Sequence, residues 1–535
     1  MEELTAVEKF SLHHDMRQLP RGESSYRELI PKTTPGPGQQ YAFEVNLDQC
    51  TGCKACVVAC HNENGLDEDE TWRSVGLIHG GTTQAPVVQH VTTACHHCLD
   101  PACSDGCPVN AYEKDSTTGV VKHLDDQCIG CQYCTFTCPY DVPKYNKKRG
   151  IVHKCDMCIS RLKVGEAPAC VRACPSGAIR ITLVETATVK KDPAHYVNIP
   201  EAPDSRYTQP TTKYLSKKEF PKNMVSMDFY SIHPEHSHWP LILMLVLTQL
   251  SVGTFCVIAF LQKILPAQIT SEVLPYYVFV AFVVGILALL ASVFHLGRPL
   301  YAFRAIIGLK KSWLSREMLV FGLFALLATI YAVGFWGNLF EGKMFASDGL
   351  SLATALSGLL GIFCSVMVYK KTKRPFWDNH EIFLKFFLTA VILGISSILL
   401  MTMFFLFVQG DAPMFLTVEN VMQLLVGVLI AGTSVKLIAD GAVLLNLGDT
   451  ELTSLKKTAL LMNGPLRVVT IWRFICGGLG GIVLPIIFLG LTEIHGLERF
   501  VAMACFIFIF CLSGEFLERY LFFRAVVPFK MPGTK

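Results

Sequence analysis

The sequence predicts two unlike parts: an α+β domain with an internally duplicated plan, then an all-α polytopic membrane domain of eight transmembrane helices. Three observations carry this. Sixteen of the 21 cysteines fall between Cys50 and Cys174, in four sets of four. The composition then changes, from a polar, Cys- and Pro-rich stretch over 1–237 to long apolar runs over 238–535. Eight such runs follow one another, each about 20 residues or more, enough to span a bilayer.

The first cysteine set is Cys50, Cys53, Cys56 and Cys60, and the second is Cys95, Cys98, Cys103 and Cys107. The third is Cys128, Cys131, Cys134 and Cys138; the fourth is Cys155, Cys158, Cys170 and Cys174. Proline follows the last cysteine in sets two, three and four (Pro108, Pro139, Pro175). Such runs are the ligand pattern of bacterial ferredoxins, in which three close thiolates hold one 4Fe–4S cluster and the fourth reaches across to its partner cluster. Four runs therefore predict four 4Fe–4S clusters in a duplicated ferredoxin-like iron–sulfur domain. Zinc would use the isolated C-x2-C elements, but it gives no reason for a third cysteine two residues on or a fourth before proline. Disulfides suit a small secreted scaffold, not a long chain with dense adjacent thiols.

Along the chain, residues 1–40 form an N-terminal extension ending in the turn-rich PKTTPGPGQQ. The cluster domain runs over 41–184. A short strand at 41–47 delivers the first set, and TWRSVG with the alternating QAPVVQHVTTA reads as a hairpin or edge strand. GVVKHL (119–124) and AIRITLV (178–184) are further short strands. The cysteine loops and short helices must bring backbone N–H groups to the sulfurs. Residues 185–237, polar and proline-containing, read as an extended linker covering the cluster domain.

The eight runs lie near 240–262, 274–295, 316–338, 350–370, 383–408, 418–440, 470–491 and 497–521, within a membrane part spanning 238–535. Lys436 and Asp440 blur the end of the sixth. Eight spans return both ends of this part to one face. The connections on that face carry twelve Lys and Arg, from Arg298 to Arg467; the opposite ones carry Lys263, Lys343 and Arg499. By the positive-inside rule the clusters are expected on the cytoplasmic side of a bacterial cytoplasmic (inner) membrane. The opening MEELTAVEKF has no cationic start with an apolar core, nor a twin-arginine pair, so no export signal is expected. A net charge of +3 without a basic tract gives no ground for nucleic-acid binding.

Polar residues within or at the ends of membrane helices are costly and are retained for function or pairing. His295 ends the second run and Glu317 opens the third, on the predicted cluster side. An imidazole and a carboxylate beside an apolar pocket suit quinol oxidation, where two protons leave with two electrons. They equally suit helix ends that cap backbone groups. Arg298 polarises a quinone carbonyl, orients Glu317 or anchors the interface. Glu515 with Arg519, and Lys436 with Asp440, are four apart and read as intrahelical ion pairs. The histidines near helices (His238, His295, His380, His495) all sit at ends, so no haem is expected. No dinucleotide fingerprint follows a strand.

These residues carry a resemblance. CTGCKACVVAC, CHHCLDPACSDGCP, CIGCQYCTFTCPYDVPKYN, HKCDMCISRLKVGEAPACVRACP and the later PDSRYTQPTTKY resemble the electron-transfer subunit of the dimethyl sulfoxide reductase group of molybdoenzymes. HWPL, HLGRPLYAF, KSWLSRE, Trp472–Arg473 and GEFLERYLFF are similar to that group's haem-free, eight-helix anchor. The resemblance spans most of 41–525 and implies a fusion of two usually separate subunits. It further implies quinol binding by His295 and Glu317, and a molybdopterin-containing catalytic partner. It also implies cross-pairing: set one with Cys174, set four with Cys60, set two with Cys138, set three with Cys107. The expected activity is oxidation of menaquinol or ubiquinol from the membrane pool, with electrons passed to the partner. Reversed flow from a formate- or sulfur-oxidising partner, or a docking or proton-pumping anchor, are the rivals.

Overall fold

In the computed structural model the described residues are 26–341, 348–409, 412–491 and 496–533. The N-terminal extension up to residue 25, Lys343 and His495 lie outside them. The chain divides into two compact units, Met1–Ser231 with Phe529–Lys535, and Ile232–Pro528.

The first unit repeats one plan. A strand leads into each cysteine set: β1 (Gln39–Asn46), β3 (Pro86–Thr93), β5 (Val121–His123) and β7 (Ile151–His153). Another follows the Cys-Pro of sets two, three and four: β4 (Tyr112–Lys114), β6 (Lys144–Asn146) and β8 (Ile179–Glu185). β4 pairs β5, β6 pairs β7, and β1 pairs β8 antiparallel in the register Gln39↔Glu185 to Val45↔Ile179. This is the duplicated ferredoxin-like plan expected from the cysteine spacing. The expected hairpin forms between β2 (Ser74–Gly81) and β3.

The segment read as an extended linker is built into the fold. β9 (Lys213–Leu215) adds parallel to β1, and β10 (Val225–Ser226) adds to β2. Between them and the loop of set two, Leu99 N–H donates to Gln209 O, Asp100 N–H to Thr208 O, and Thr211 Oγ1 to His96 O. These strands are two or three residues long and polar on their flanks, so no apolar run announces them. The end of the chain also returns to this unit: Met531 is fully buried and Lys530 pairs with Asp228.

The helices of the first unit are short: α1 (Ala55–Asn64), α2 (Ala102–Gly106), α3 (Tyr133–Thr137), α4 (Ile159–Lys163), α5 (Ala169–Arg172) and α6 (Thr186–Lys191). α2 and α3 each stop at the cysteine before proline, whose ring disfavours helical geometry in the residue it follows.

Among the described residues of the second unit, eight helical segments are long and apolar enough to cross a membrane. They are α7 (Trp239–Ile264), α8 (Ala267–Val293), α9 (Trp313–Glu341), α10 (Asp348–Lys370), α11 (Glu381–Gln409) and α12 (Ala412–Ala442). After the short α13 (Ser454–Asn463) come α14 (Arg467–Gly478), continued through a π turn into α15 (Leu484–Leu489), and α16 (Leu497–Arg524). α7 is the most enclosed and crosses α11 at Gly253 and Gly394. A Cβ at Gly253 would lie 1.8 Å from Ala390 O, and one at Gly394 would lie 2.3 Å from Gly253 C. Small residues let the backbones touch, as apolar packing alone does not drive helices together in lipid. Interhelical hydrogen bonds tie the same region: Ser251 Oγ to Ala281 O (2.6 Å), Tyr277 Oη to Thr402 Oγ1 (2.8 Å) and Thr254 with Ser397 (2.8 Å).

Candidate functional site

The cysteine loops are shaped by residues in the left-handed region. Gly52 and Gly130 precede the second cysteine of sets one and three, with φ of 72° and 68°. Met157 takes φ 61° at the matching place in set four, and His97 takes 42° in set two. Three residues after each Cys-Pro cysteine the pattern recurs at Asn110, Asp141 and Gly177, with φ of 51°, 54° and 65°. Glycine, asparagine and aspartate tolerate this conformation best. The turns aim amides at sulfur: Gly130 N–H to Cys128 Sγ (3.4 Å), Met157 to Cys155 (3.4 Å), Ala111 to Cys107 (3.2 Å) and Ala178 to Cys174 (3.3 Å). Hydrogen bonds from the backbone stabilise thiolate charge, so this donor set fits cluster-bound sulfur. All 21 cysteines are free of disulfides. Among the described residues no three His, Cys, Asp or Glu side chains gather on a single-ion position, as one zinc would require.

In the second unit His295 lies at the end of α8, and the structure sets it edge-on against His238, with ring centroids 5.3 Å apart. His238 caps the start of α7 and also touches His236 (5.1 Å) and Phe523 of α16 (5.7 Å). Burial, then the charges of His295, His236 and Arg374, hold its imidazole down at about 3. Arg374 stacks over Trp377 at 5.1 Å, and Trp377 Nε1 donates to Phe522 O. Arg298 caps the 3-10 segment Pro299–Gly308, in which Leu300, Phe303, Ile306 and Ile307 are exposed. Glu317 is buried one turn into α9 and accepts a hydrogen bond from Ser365 Oγ of α10. The structure thus joins His295 to His238 and Glu317 to Ser365. The sequence motif HWPL did not mark His238 as a site residue, because its pairing depends on two helix ends distant in sequence.

The expected pairs Glu515–Arg519 and Lys436–Asp440 give way to others, interhelical except for Arg519 with the adjacent Glu518. Glu515 pairs with Lys436 and with Arg473 (3.2 Å); Asp440 pairs with Lys385 (3.2 Å) and Arg473 (3.0 Å); Arg519 pairs with Glu518 (2.6 Å). Lys436, Asp440 and Glu515 each find a closer opposite charge on a neighbouring helix, Arg519 finds one on the adjacent residue, and a buried charge is tolerable only when closely matched. All seven are buried, and Arg519 also lies 3.8 Å over the Phe386 ring. A cavity of about 20 Å³ bordered by Lys385, Asp440, Arg473 and Glu518 has room for one water. These matches explain why α12 continues as helix through Lys436 and Asp440.

Cysteine loops of ferredoxin plan and eight apolar helices in one polypeptide define a membrane-bound electron-transfer protein. Residues 232–524, more than half the chain, match the family of the DMSO reductase anchor subunit (DmsC), and residues 87–183 match the 4Fe–4S dicluster domain. The chain therefore belongs to that anchor family, with an iron–sulfur electron-transfer subunit joined ahead of the anchor. It is 35% identical over 181 residues to the B subunit of the anaerobic dimethyl sulfoxide reductase of Haemophilus influenzae, covering 32% of this chain and 87% of that protein. Identity to YnfG of Escherichia coli, a probable anaerobic dimethyl sulfoxide reductase subunit, is also 35%, over 201 residues, 34% of this chain and 98% of that one. The iron–sulfur subunit of the nitrate-inducible formate dehydrogenase of Escherichia coli is 34% identical over 168 residues, 28% of this chain and 57% of that protein. The chain is a multi-pass membrane protein that carries 4Fe–4S clusters.

Proposed function

We propose that this chain oxidises membrane quinol and passes the electrons to a molybdopterin-containing catalytic subunit, which reduces dimethyl sulfoxide, a related oxide or nitrate. The observation that carries the reading is the contact of His295 with His238 at one end of an anchor-family bundle, beside an exposed apolar 3-10 segment. A neutral imidazole there accepts a quinol proton, and the apolar face of Pro299–Gly308 offers the ring and tail a path from lipid. Arg298 orients the headgroup and Glu317 takes the second proton. Menaquinol or ubiquinol fits equally, and no haem is needed.

The sixteen set cysteines hold four 4Fe–4S clusters, paired as Cys50, Cys53, Cys56 with Cys174; Cys155, Cys158, Cys170 with Cys60; Cys95, Cys98, Cys103 with Cys138; and Cys128, Cys131, Cys134 with Cys107. When bound, these clusters supply one-electron relay between quinol and partner. The iron–sulfur unit belongs on the cytoplasmic side of the inner membrane.

The test is electron paramagnetic resonance of membranes with and without added quinol, comparing the native chain with His295→Ala. The native chain is expected to show quinol-generated cluster signals. The variant should keep its clusters under dithionite but not respond to quinol. Equal quinol reduction in the variant would leave His295 a helix-end residue. A second reading, electron flow from a donor-oxidising partner to quinone, is favoured by the similarity to a formate dehydrogenase subunit. Cluster oxidation by added quinone, without reduction by quinol, would select it.

A further inference from the structure

Two cations are buried in the cysteine-rich unit with no carboxylate in ion-pairing distance among the described residues. Arg73, just ahead of β2, is 2% exposed, and Lys154, just after β7, is 2% exposed. Arg73 Nη1 donates to Thr92 Oγ1 (3.2 Å), which itself lies 3.5 Å from Cys56 Sγ, and the guanidinium sits 4.6 Å from the centre of the Phe43 ring. Its Nε and Nη2 are buried and have no hydrogen-bond partner among the described residues. Among those residues no Asp or Glu lies within ion-pairing distance of Arg73. The charges that act on it belong to Cys170, Cys56, Cys155 and Cys60. Lys154 Nζ donates to Val121 O, to Cys155 O (2.8 Å) and toward Cys95 Sγ (3.6 Å); its charged neighbours are led by Cys95, Cys103 and Cys155.

A buried, unmatched guanidinium or ammonium is untenable unless another charge answers it. Cysteines as thiols do not answer it, whereas metal-bound thiolates are ionised and do. Each cation therefore marks a place where negative charge accumulates. Three of the four thiolates acting on Arg73 (Cys60, Cys155 and Cys170) belong to the set-four cluster in the cross-pairing proposed above. Lys154 reaches that same cluster through Cys155 and the set-two cluster through Cys95 and Cys103. It thus stands where one cluster pair meets the other.

We infer that Arg73 and Lys154 are positioning residues of the electron path, buried cations that favour the reduced form of the set-four cluster from two sides and raise its potential above what the thiolates alone would give. This rests on the four-cluster reading. Reduction adds one negative charge, so a fixed cation beside the cluster raises the potential, and charge and hydrogen bonding to sulfur are established levers on it.

The experiment is a redox titration of the full-length membrane protein, followed by electron paramagnetic resonance, for the native chain, Arg73→Met, Arg73→Lys, Lys154→Met and Lys154→Arg. Arg73→Met is expected to disfavour reduction of the set-four cluster at least tenfold, a fall of about 59 mV for one electron. Lys154→Met should lower the set-four and set-two clusters together, and the charge-keeping variants should restore most of each shift. Loss of the set-four cluster alone in Arg73→Met, with retention in Arg73→Lys, also supports the assignment. Unchanged potentials in both Met variants, or equal loss of the cluster in Arg73→Met and Arg73→Lys, would overturn it. Iron content of the native chain separates the two readings. Fewer than four clusters sinks the four-cluster reading, whereas four clusters with unmoved potentials sink only this one.

Discussion

The buried charges of the anchor allow the sharpest stability prediction. Glu515 answers both Lys436 and Arg473 and accepts from Thr389 Oγ1 (2.8 Å), and its side chain is 1% exposed. Glu515→Gln keeps the shape but leaves four buried cations facing two buried carboxylates, Asp440 and Glu518, with the exposed Glu381 at 4.0 Å from Lys385 alone, and the nearer buried one to Lys436 is Glu518 at 3.8 Å. Removing one partner of a buried pair costs about 3–5 kcal/mol, because an uncompensated charge remains. Glu515→Gln should fall at the upper end, about 5 kcal/mol. Lys436→Met removes a cation from a cluster that has one to spare, and Glu515 keeps Arg473, so its cost should fall at the lower end, about 3 kcal/mol. The double variant should cost clearly less than the sum of the two, since the residues share partners. Unfolding of the full-length protein by SDS in mixed micelles, followed by helical circular dichroism, measures all three. The reasoning is refuted if Glu515→Gln costs no more than Lys436→Met, or if the two effects simply add.

Three further outcomes are expected. Gly253→Leu, whose Cβ would meet Ala390 O at 1.8 Å, should cost more than the roughly 1–3 kcal/mol of ordinary overpacking, whereas Gly322→Ala, with nothing within 4 Å, should not destabilise; the same SDS titration compares them. His238 is held at about 3 by burial, against roughly 6.5 when free, so between those values the unfolded chain carries a proton the folded chain lacks. Stability should therefore fall as pH drops from about 6.5 toward about 3, and His238→Phe should flatten that acid limb in a pH series. Cys174→Ser should remove the cluster of set one and spare that of set four, with Cys60→Ser doing the opposite; paramagnetic signals of either variant that lose the cluster of its own set would refute the cross-pairing.

Much of the architecture was legible because its causes are local. A cysteine run with fixed spacing dictates its loops: the same glycine, asparagine and aspartate positions return as left-handed turns after the Cys-Pro of sets two, three and four, where an amide points at the sulfur. Apolar runs likewise fix where helices lie. What stayed hidden depends on encounters distant in sequence. Arg73 looks like one polar residue in TWRSVG, and nothing local says that it is sealed against cysteines of two sets. The residues around Thr208–Thr212 read as linker because their role is to hydrogen-bond the set-two loop rather than to supply an apolar face. The charges of α11, α12, α14 and α16 were visible as interruptions of apolar runs, but the i, i+4 rule named the wrong partners. That rule describes exposed helices, and here a neighbouring helix is closer than the next turn.

The two polar regions of the anchor divide the work by a physical criterion. Among the described residues four buried carboxylates lie within its spans, Glu317, Asp440, Glu515 and Glu518. Glu317 is held by Ser365, whereas Asp440, Glu515 and Glu518 are each matched by a buried cation, and losing one of these carboxylates would strand a guanidinium or ammonium at a cost of several kcal/mol. Groups in that position hold helices together. His238 and His295 are only partly buried and sit at helix ends, outside the matched network. The quinol reading proposed above therefore rests on the groups at these helix ends rather than on the sealed network.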